Sequence, residues 1–116
     1  MPLTGAAARE LRALAHHLDP VVQVGKGGVT RGLVAQVEKA LLDHELVKVK
    51  VLSEAPLDRK IAAAQLGSQT ASDVVQLVGR IVVLYKPHPK KPTIKVPKGY
   101  TPPQPVAPAR DRNEEE

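Results

Sequence analysis

Val21-Val22-Gln23-Val24-Gly25-Lys26-Gly27-Gly28-Val29-Thr30-Arg31-Gly32-Leu33-Val34 is the stretch on which the reading of this chain turns. A β-rich run leads into three glycines around one lysine, and a helical pattern opens at Thr30. Strand, glycine turn and helix in immediate succession are the opening of a β-α unit. Glycine lets backbone turn sharply and approach a ligand closely. Thr30 is a good N-cap, so the first amides of the following helix point back toward the loop. A helix N-terminus attracts anions, and Lys26 adds a positive charge at the same place. A purely architectural turn would account for Gly25 and Gly28 but has no use for Lys26. The stretch reads as a phosphate-contacting loop.

Working outward, Thr4 can cap a first helix extending to about residue 18, with Ala7, Leu11, Leu14, Ala15 and Leu18 as its apolar face. Arg9, Arg12 and His16 share another face as a basic stripe. Asp19-Pro20 ends that helix and starts the first strand. Past the loop, a second helix over 30–44 uses Leu33, Val34, Val37 and Leu41, with Ala40 beside them. Strand two, 46–52, alternates cleanly: Val47, Val49 and Val51 point one way, Lys48 and Lys50 the other. A third helix, with Asp58 in its first turn, runs to about residue 69 on Leu57, Ile61, Ala62, Ala64 and Leu66, and Gly67 weakens its end. Strands 74–78 and 81–85 meet across Gly79-Arg80, which suits a II′ hairpin turn. The last of them is almost continuously apolar, as a mid-sheet strand should be.

The order is α-β-α-β-α-β-β. Two β-α-β units with right-handed crossovers place both crossover helices on one face of a mixed four-stranded sheet. This predicts a two-layer α/β sandwich (α+β in character) whose open face shows Lys48 and Lys50. From residue 87 the composition changes. Eight of the eleven prolines lie there, and hydrophobic periodicity is lost. The expected division is a domain over 1–87 and an extended or disordered Pro/Lys-rich tail over 88–116, with 93–98 able to order against the domain through Ile94 and Val96.

At 116 residues the chain supports one modest core, built almost wholly from Leu, Val, Ile and Ala. There is no Phe or Trp, and Tyr85 and Tyr100 are the only tyrosines, so base stacking on aromatic rings is not the expected binding mode. With no cysteine, disulfides and thiolate metal sites are excluded. His16 and His17 are adjacent and diverge on a helix, and His44 and His88 bring no carboxylate cluster, so no metal is expected. No apolar run reaches the length of a membrane span, and the N-terminus lacks a signal-peptide core. A cytoplasmic monomer with no membrane partner is the expectation.

The formal charge of +5 is unevenly spread. Residues 1–86 carry 11 basic and 8 acidic groups, 87–110 carry five basic and none acidic, and 111–116 carry one Arg against four carboxylates. A local basic excess fits nucleic acid. Two other readings stand beside it. The loop matches GxGxxG at Gly25 and Gly27 but has Thr30 at the third position, with Glu54 as a conceivable ribose acid, so a nucleotide-using enzyme is one alternative. A Walker loop is not matched, no Ser/His/Asp set accompanies the glycines, and neither cofactor nor small-molecule substrate is expected. A protein-interaction adaptor acting through the PxxP matches at 89–92 and 105–108 is the other.

Leu14-Ala15-His16-His17-Leu18 followed by Pro20-Val21-Val22-Gln23-Val24-Gly25-Lys26-Gly27-Gly28 resembles the CRM domain (chloroplast RNA splicing and ribosome maturation). Glu45-Leu46-Val47-Lys48-Val49-Lys50, Val75-Gln76-Leu77-Val78-Gly79-Arg80 and Leu84-Tyr85 strengthen the match, which spans about residues 3–87 and is nearest the bacterial stand-alone, YhbY-like members. The resemblance implies a non-catalytic RNA-binding domain that takes part in ribosome assembly on precursors of the large subunit, binding ribosomal RNA. It also implies a fold similar to the C-terminal domain of bacterial translation initiation factor three. The family's GxxG loop falls on Gly25, Lys26, Gly27 and Gly28, and its basic surface on Arg12, His16, Lys48 and Lys50. Arg9, Thr30 and Arg31 complete the candidate contact set.

Overall fold

The computed structural model describes residues 5–94 and residue 100. Thr4, residues 95–99 and the chain from 101 onward lie outside them, together with the cap, the 105–108 motif and the acidic tip expected there. Seven elements follow in the expected order: α1 (Gly5–Ala15), β1 (Pro20–Val24), α2 (Arg31–His44), β2 (Leu46–Val51), α3 (Arg59–Thr70), β3 (Asp73–Val78) and β4 (Ile81–Tyr85).

The strands form one mixed sheet in the order β1-β2-β4-β3. β1 runs parallel to β2, whereas β4 lies antiparallel between β2 and β3. The apolar β4 is thus a central strand, as its composition predicts. At the β3–β4 turn Gly79 takes φ +57°, while Arg80 is not among the positive-φ residues, the pattern of a II′ turn.

One sheet face carries the main core. Val22 and Val24 of β1, Val47, Val49 and Val51 of β2, and Val82 and Leu84 of β4 meet Leu33, Val37 and Leu41 of α2 and Ala62, Ala63 and Leu66 of α3. Both crossover helices therefore share that face, and the two-layer α/β arrangement stands. Full burial of each Val or Leu contributes about 1.5–3 kcal/mol.

Helix α1 crosses part of the second face. Leu11 and Ala15 pack on Leu46, Val75, Val83 and Tyr85. The face expected to be open is therefore covered near Leu46, leaving Lys48 half-buried and Lys50 exposed. Its covering helix is shorter than its periodicity suggests. The Leu18 N–H donates to Ala15 O at 2.9 Å, closing a turn ahead of Pro20. The buried stripe narrows to Ala7, Leu11 and Ala15, and Leu14 and Leu18 stay exposed.

Helix α3 shifts its buried face in a similar way. Ile61 and Ala64 are exposed, and Ala62, Ala63, Leu66 and Gly67 face inward. Asp58 is its N-cap, accepting the Lys60 N–H at 2.9 Å. A Cβ on Gly67 would stand 3.0 Å from Val74 Cγ2 and 3.3 Å from Ser72 O. This glycine lets the helix lie close against the start of β3, a role that helix propensity alone does not reveal.

Candidate nucleic-acid interface

The 25–28 loop closes on itself through a bond from Gly28 N–H to Gly25 O of 3.0 Å. Gly28 takes φ +71°, and a Cβ there would meet Pro56 Cγ at 3.3 Å, so the loop is seated against the 52–57 connection. Lys26 and Gly27 face solvent. Thr30 caps α2 as expected: its Oγ1 accepts the Leu33 N–H at 3.1 Å, in extended backbone. Arg31, the first residue of α2, is exposed beside it.

Because β1 and β2 are parallel and β4 runs back along β2, three connections collect at one end of the sheet. The glycine loop follows Val24, which is registered with Val51. The Val51 N–H donates to Arg80 O at 2.7 Å, and the Leu52 N–H to Val24 O at 2.9 Å. Arg59 Nη1 donates to Gly79 O at 2.8 Å, clamping the hairpin tip to the first turn of α3. Lys26, Arg31, Lys50 and Arg80 therefore surround an end that also holds the N-termini of α2 and α3. Glu54 and Asp58 are the acids of these connections, and Asp58 is occupied as a cap.

A second basic group lies on the sheet face beside α1. Arg12, His16 and Lys48 line one groove of about 270 Å³ with Gln76, Val78 and Ile81. The structure thus brings Lys48 of β2 to Arg12 and His16, more than thirty residues earlier in the chain. Lys50, two positions beyond Lys48 on the same face, links this groove to the loop end. Arg9 is exposed one turn back along α1 and does not line the groove. Among the described residues the only ion pair joins Lys39 to Asp43, so none of these basic side chains is paired with a carboxylate there.

Arg80 and Arg59 were not among the sequence candidates. The hairpin placed Arg80 in a turn, but only the strand order places that turn beside the glycine loop. His16 and His17 depart from expectation too: their rings meet edge to face at 5.3 Å, because the helix ends at Ala15. Among the described residues no three His, Cys, Asp or Glu side chains gather as a metal set.

At the opposite end sits Glu45, to which sequence reasoning assigns no role beyond its place in the resemblance. It is buried and takes φ +67°, a conformation costly for a non-glycine residue. Its Oε2 accepts the His88 N–H at 2.7 Å, and its Oε1 accepts from Thr93 N, Thr93 Oγ1 and Ile94 N at 2.9, 2.7 and 2.7 Å. Burial pushes its pKa up, but the bonds from His88, Ile94 and Thr93 outweigh that and hold it below its ordinary 4.5. Residues 88–94 are held against the domain by these bonds, and Ile94 and Tyr100 pack against the core beneath α1. Tyr100 donates its hydroxyl to Asp73, and its ring lies 5.5 Å from that of Tyr85. Burial, with the charges of Glu45 and Asp73, pushes Tyr85 up to about 12; burial and the Asp73 bond raise Tyr100 as well. Both tyrosines are thus engaged away from the basic end, which offers charge and N–H donors without an aromatic platform.

No helix among the described residues is long and apolar enough to cross a membrane. Residues 3–86 match the CRS1 / YhbY (CRM) domain family. The chain is 42% identical over 95 residues to the Bacillus subtilis protein named "Probable RNA-binding protein YqeI", covering 82% of this chain and 99% of that one. It is 39% identical over 90 residues to a Pseudomonas aeruginosa protein also named as a probable RNA-binding protein, covering 78% of this chain and 86% of the other. The solution structure of a hypothetical protein from Staphylococcus aureus superposes with a TM-score of 0.69 at 39% identity, covering 82% of this chain and 99% of that one. With the family match, the fold and these relatives in agreement, the chain belongs to the CRS1 / YhbY (CRM) domain family.

Proposed function

We propose that this protein is a non-catalytic RNA-binding protein that contacts ribosomal RNA in large-subunit precursors and serves as a cytoplasmic ribosome assembly factor. The observation that carries the reading is the run of basic residues from the Arg12, His16 and Lys48 groove through Lys50 to the exposed Lys26 of the glycine loop, none of them in an ion pair among the described residues. Along that run the backbone at Gly27 is open to a sugar-phosphate chain, and the α2 N-terminus favours an anion beside it. Phosphate contacts of this kind position RNA without reading its bases. With no aromatic platform at this end, selectivity rests on RNA shape. The names of the relatives agree with RNA as the partner.

Sedimentation of cell lysate through a sucrose gradient, with ultraviolet crosslinking of bound RNA, tests the assignment. Comigration with large-subunit precursors and crosslinks to their ribosomal RNA are expected. A protein that stays at the top of the gradient without crosslinked RNA would contradict it.

A further inference from the structure

Lys90 and Lys91 were expected to belong to an extended or disordered tail, yet the structure holds them in a fixed turn. His88 is pinned through its N–H to Glu45 Oε2. Its Nδ1 in turn accepts the N–H groups of Lys90 and Lys91 at 3.0 and 3.1 Å. Pro89 and Pro92 flank the two lysines and restrict their backbone further. Three residues beyond Lys91, Ile94 returns to the same carboxylate. The result is a closed knuckle with Lys90 and Lys91 both exposed. Lys86 Nζ, at its base, donates to Thr70 O at 3.0 Å. The acids nearby on α2 are Glu38, which lines a hollow with Lys86, Pro87 and Pro89, and Asp43, which is paired with Lys39.

Position gives the knuckle its meaning. It adjoins Glu45, the C-cap of α2, whereas the glycine loop adjoins Thr30, the N-cap of the same helix. Fourteen residues of α2 separate them, or about 20 Å at 1.5 Å per residue. We infer that the Lys90-Lys91 knuckle is a second, pre-ordered phosphate-contact site, and that one RNA helix bridges it and the glycine loop along α2. This rests on the glycine loop being the first RNA contact. A buried carboxylate at strained backbone, with every one of its bonds spent on this segment, keeps the lysines from the ordering cost that a loose arm would bear on binding. A duplex rising about 3 Å per base pair needs roughly seven base pairs to reach both sites. Shorter stems engage one site at a time and lose the gain of linked binding.

The test uses the full chain and two RNA hairpins at low salt, one with a stem of about 5 and one of about 20 base pairs. Lys90→Ala/Lys91→Ala should weaken the long stem about fivefold and leave the short one within about twofold. His88→Ala keeps both charges but removes the acceptor that orders the turn, so it should weaken the long stem by a smaller factor, with the fold checked by circular dichroism. Equal effects of the double change on both stems, or none on either, would overturn the bridge. If His88→Ala binds like the parent while the double change is weak, the lysines act without the fixed turn and the pre-ordered site is refuted. Gly27→Asp reports on the loop separately and should weaken both stems. If it weakens neither, the loop reading fails and the bridge falls with it.

Discussion

Glu45 Oε1 accepts the main-chain N–H of Ile94 at 2.7 Å, across 49 residues of sequence. With three further bonds to His88 and Thr93, this contact ties the chain after β4 to the junction of α2 and β2. Glu45→Gln leaves one acceptor oxygen and turns an N–H₂ toward the donors that the carboxylate met. The substitution should destabilise the fold by about 1–3 kcal/mol. Urea unfolding measures the loss, and amide NMR shifts of His88, Thr93 and Ile94 should move most. A variant as stable as the parent would show that the segment adds nothing to the fold.

The same carboxylate sets a pH dependence. Its pKa is depressed in the folded state, so its stabilisation is complete above the ordinary value of 4.5 and is lost as pH falls through the lower folded value. The stability gap between parent and Glu45→Gln should be flat near neutral pH and close on acidification below about pH 4. Unfolding curves on both proteins across that range check the sign. A gap that widens in acid would reverse it.

Two glycines in helices should respond in opposite directions to alanine. At Gly67 the new Cβ meets Ser72 O at 3.3 Å and Val74 Cγ2 at 3.0 Å, so crowding should outweigh helix propensity and cost about 1 kcal/mol net. At Gly32 the nearest neighbour is Thr30 Oγ1 at 3.9 Å, and alanine should stabilise by about 0.5–1 kcal/mol. Thermal unfolding of the pair decides the matter, and equal shifts of one sign would discredit the packing argument.

Gly27 is exposed, has no positive φ, and its Cβ would meet only Thr30 Cγ2 at 3.6 Å. Gly27→Asp should therefore fold normally while placing a carboxylate where phosphate passes. RNA affinity should fall at least tenfold, or about 1.4 kcal/mol, with circular dichroism unchanged. Undiminished binding by the folded variant would move the RNA surface elsewhere.

Lys48 and Lys50 share the sheet face that joins the groove to the loop. Lys48→Ala/Lys50→Ala should reduce the slope of log affinity against log salt by about 1.5, since each lost phosphate contact releases fewer counterions. Titrations at several salt concentrations measure it. An unaltered slope would exclude that face from the contact.

Much of this arrangement was legible in the residues themselves. Alternation in β2, the cap at Thr30, the turn at Gly79-Arg80 and the apolar run of β4 are local signals, each written in a few adjacent side chains whose backbone preferences decide them. The element order and the shared face of α2 and α3 follow from these signals and the handedness of crossovers. Periodicity could not say where α1 stops or which side of α3 is buried. Leu14, Leu18 and Ile61 are apolar at helical spacing, yet the neighbouring elements leave them exposed. Gly67 looked like a weak helix end and proved to be the clearance that β3 requires. The meeting of Arg12, His16 and Lys48, the arrival of Arg80 beside the glycine loop, and the hold of Glu45 on His88, Thr93 and Ile94 all depend on the strand order β1-β2-β4-β3 or on contacts across many residues. Nothing local encodes such contacts, because their energy comes from groups that become neighbours only when the sheet closes.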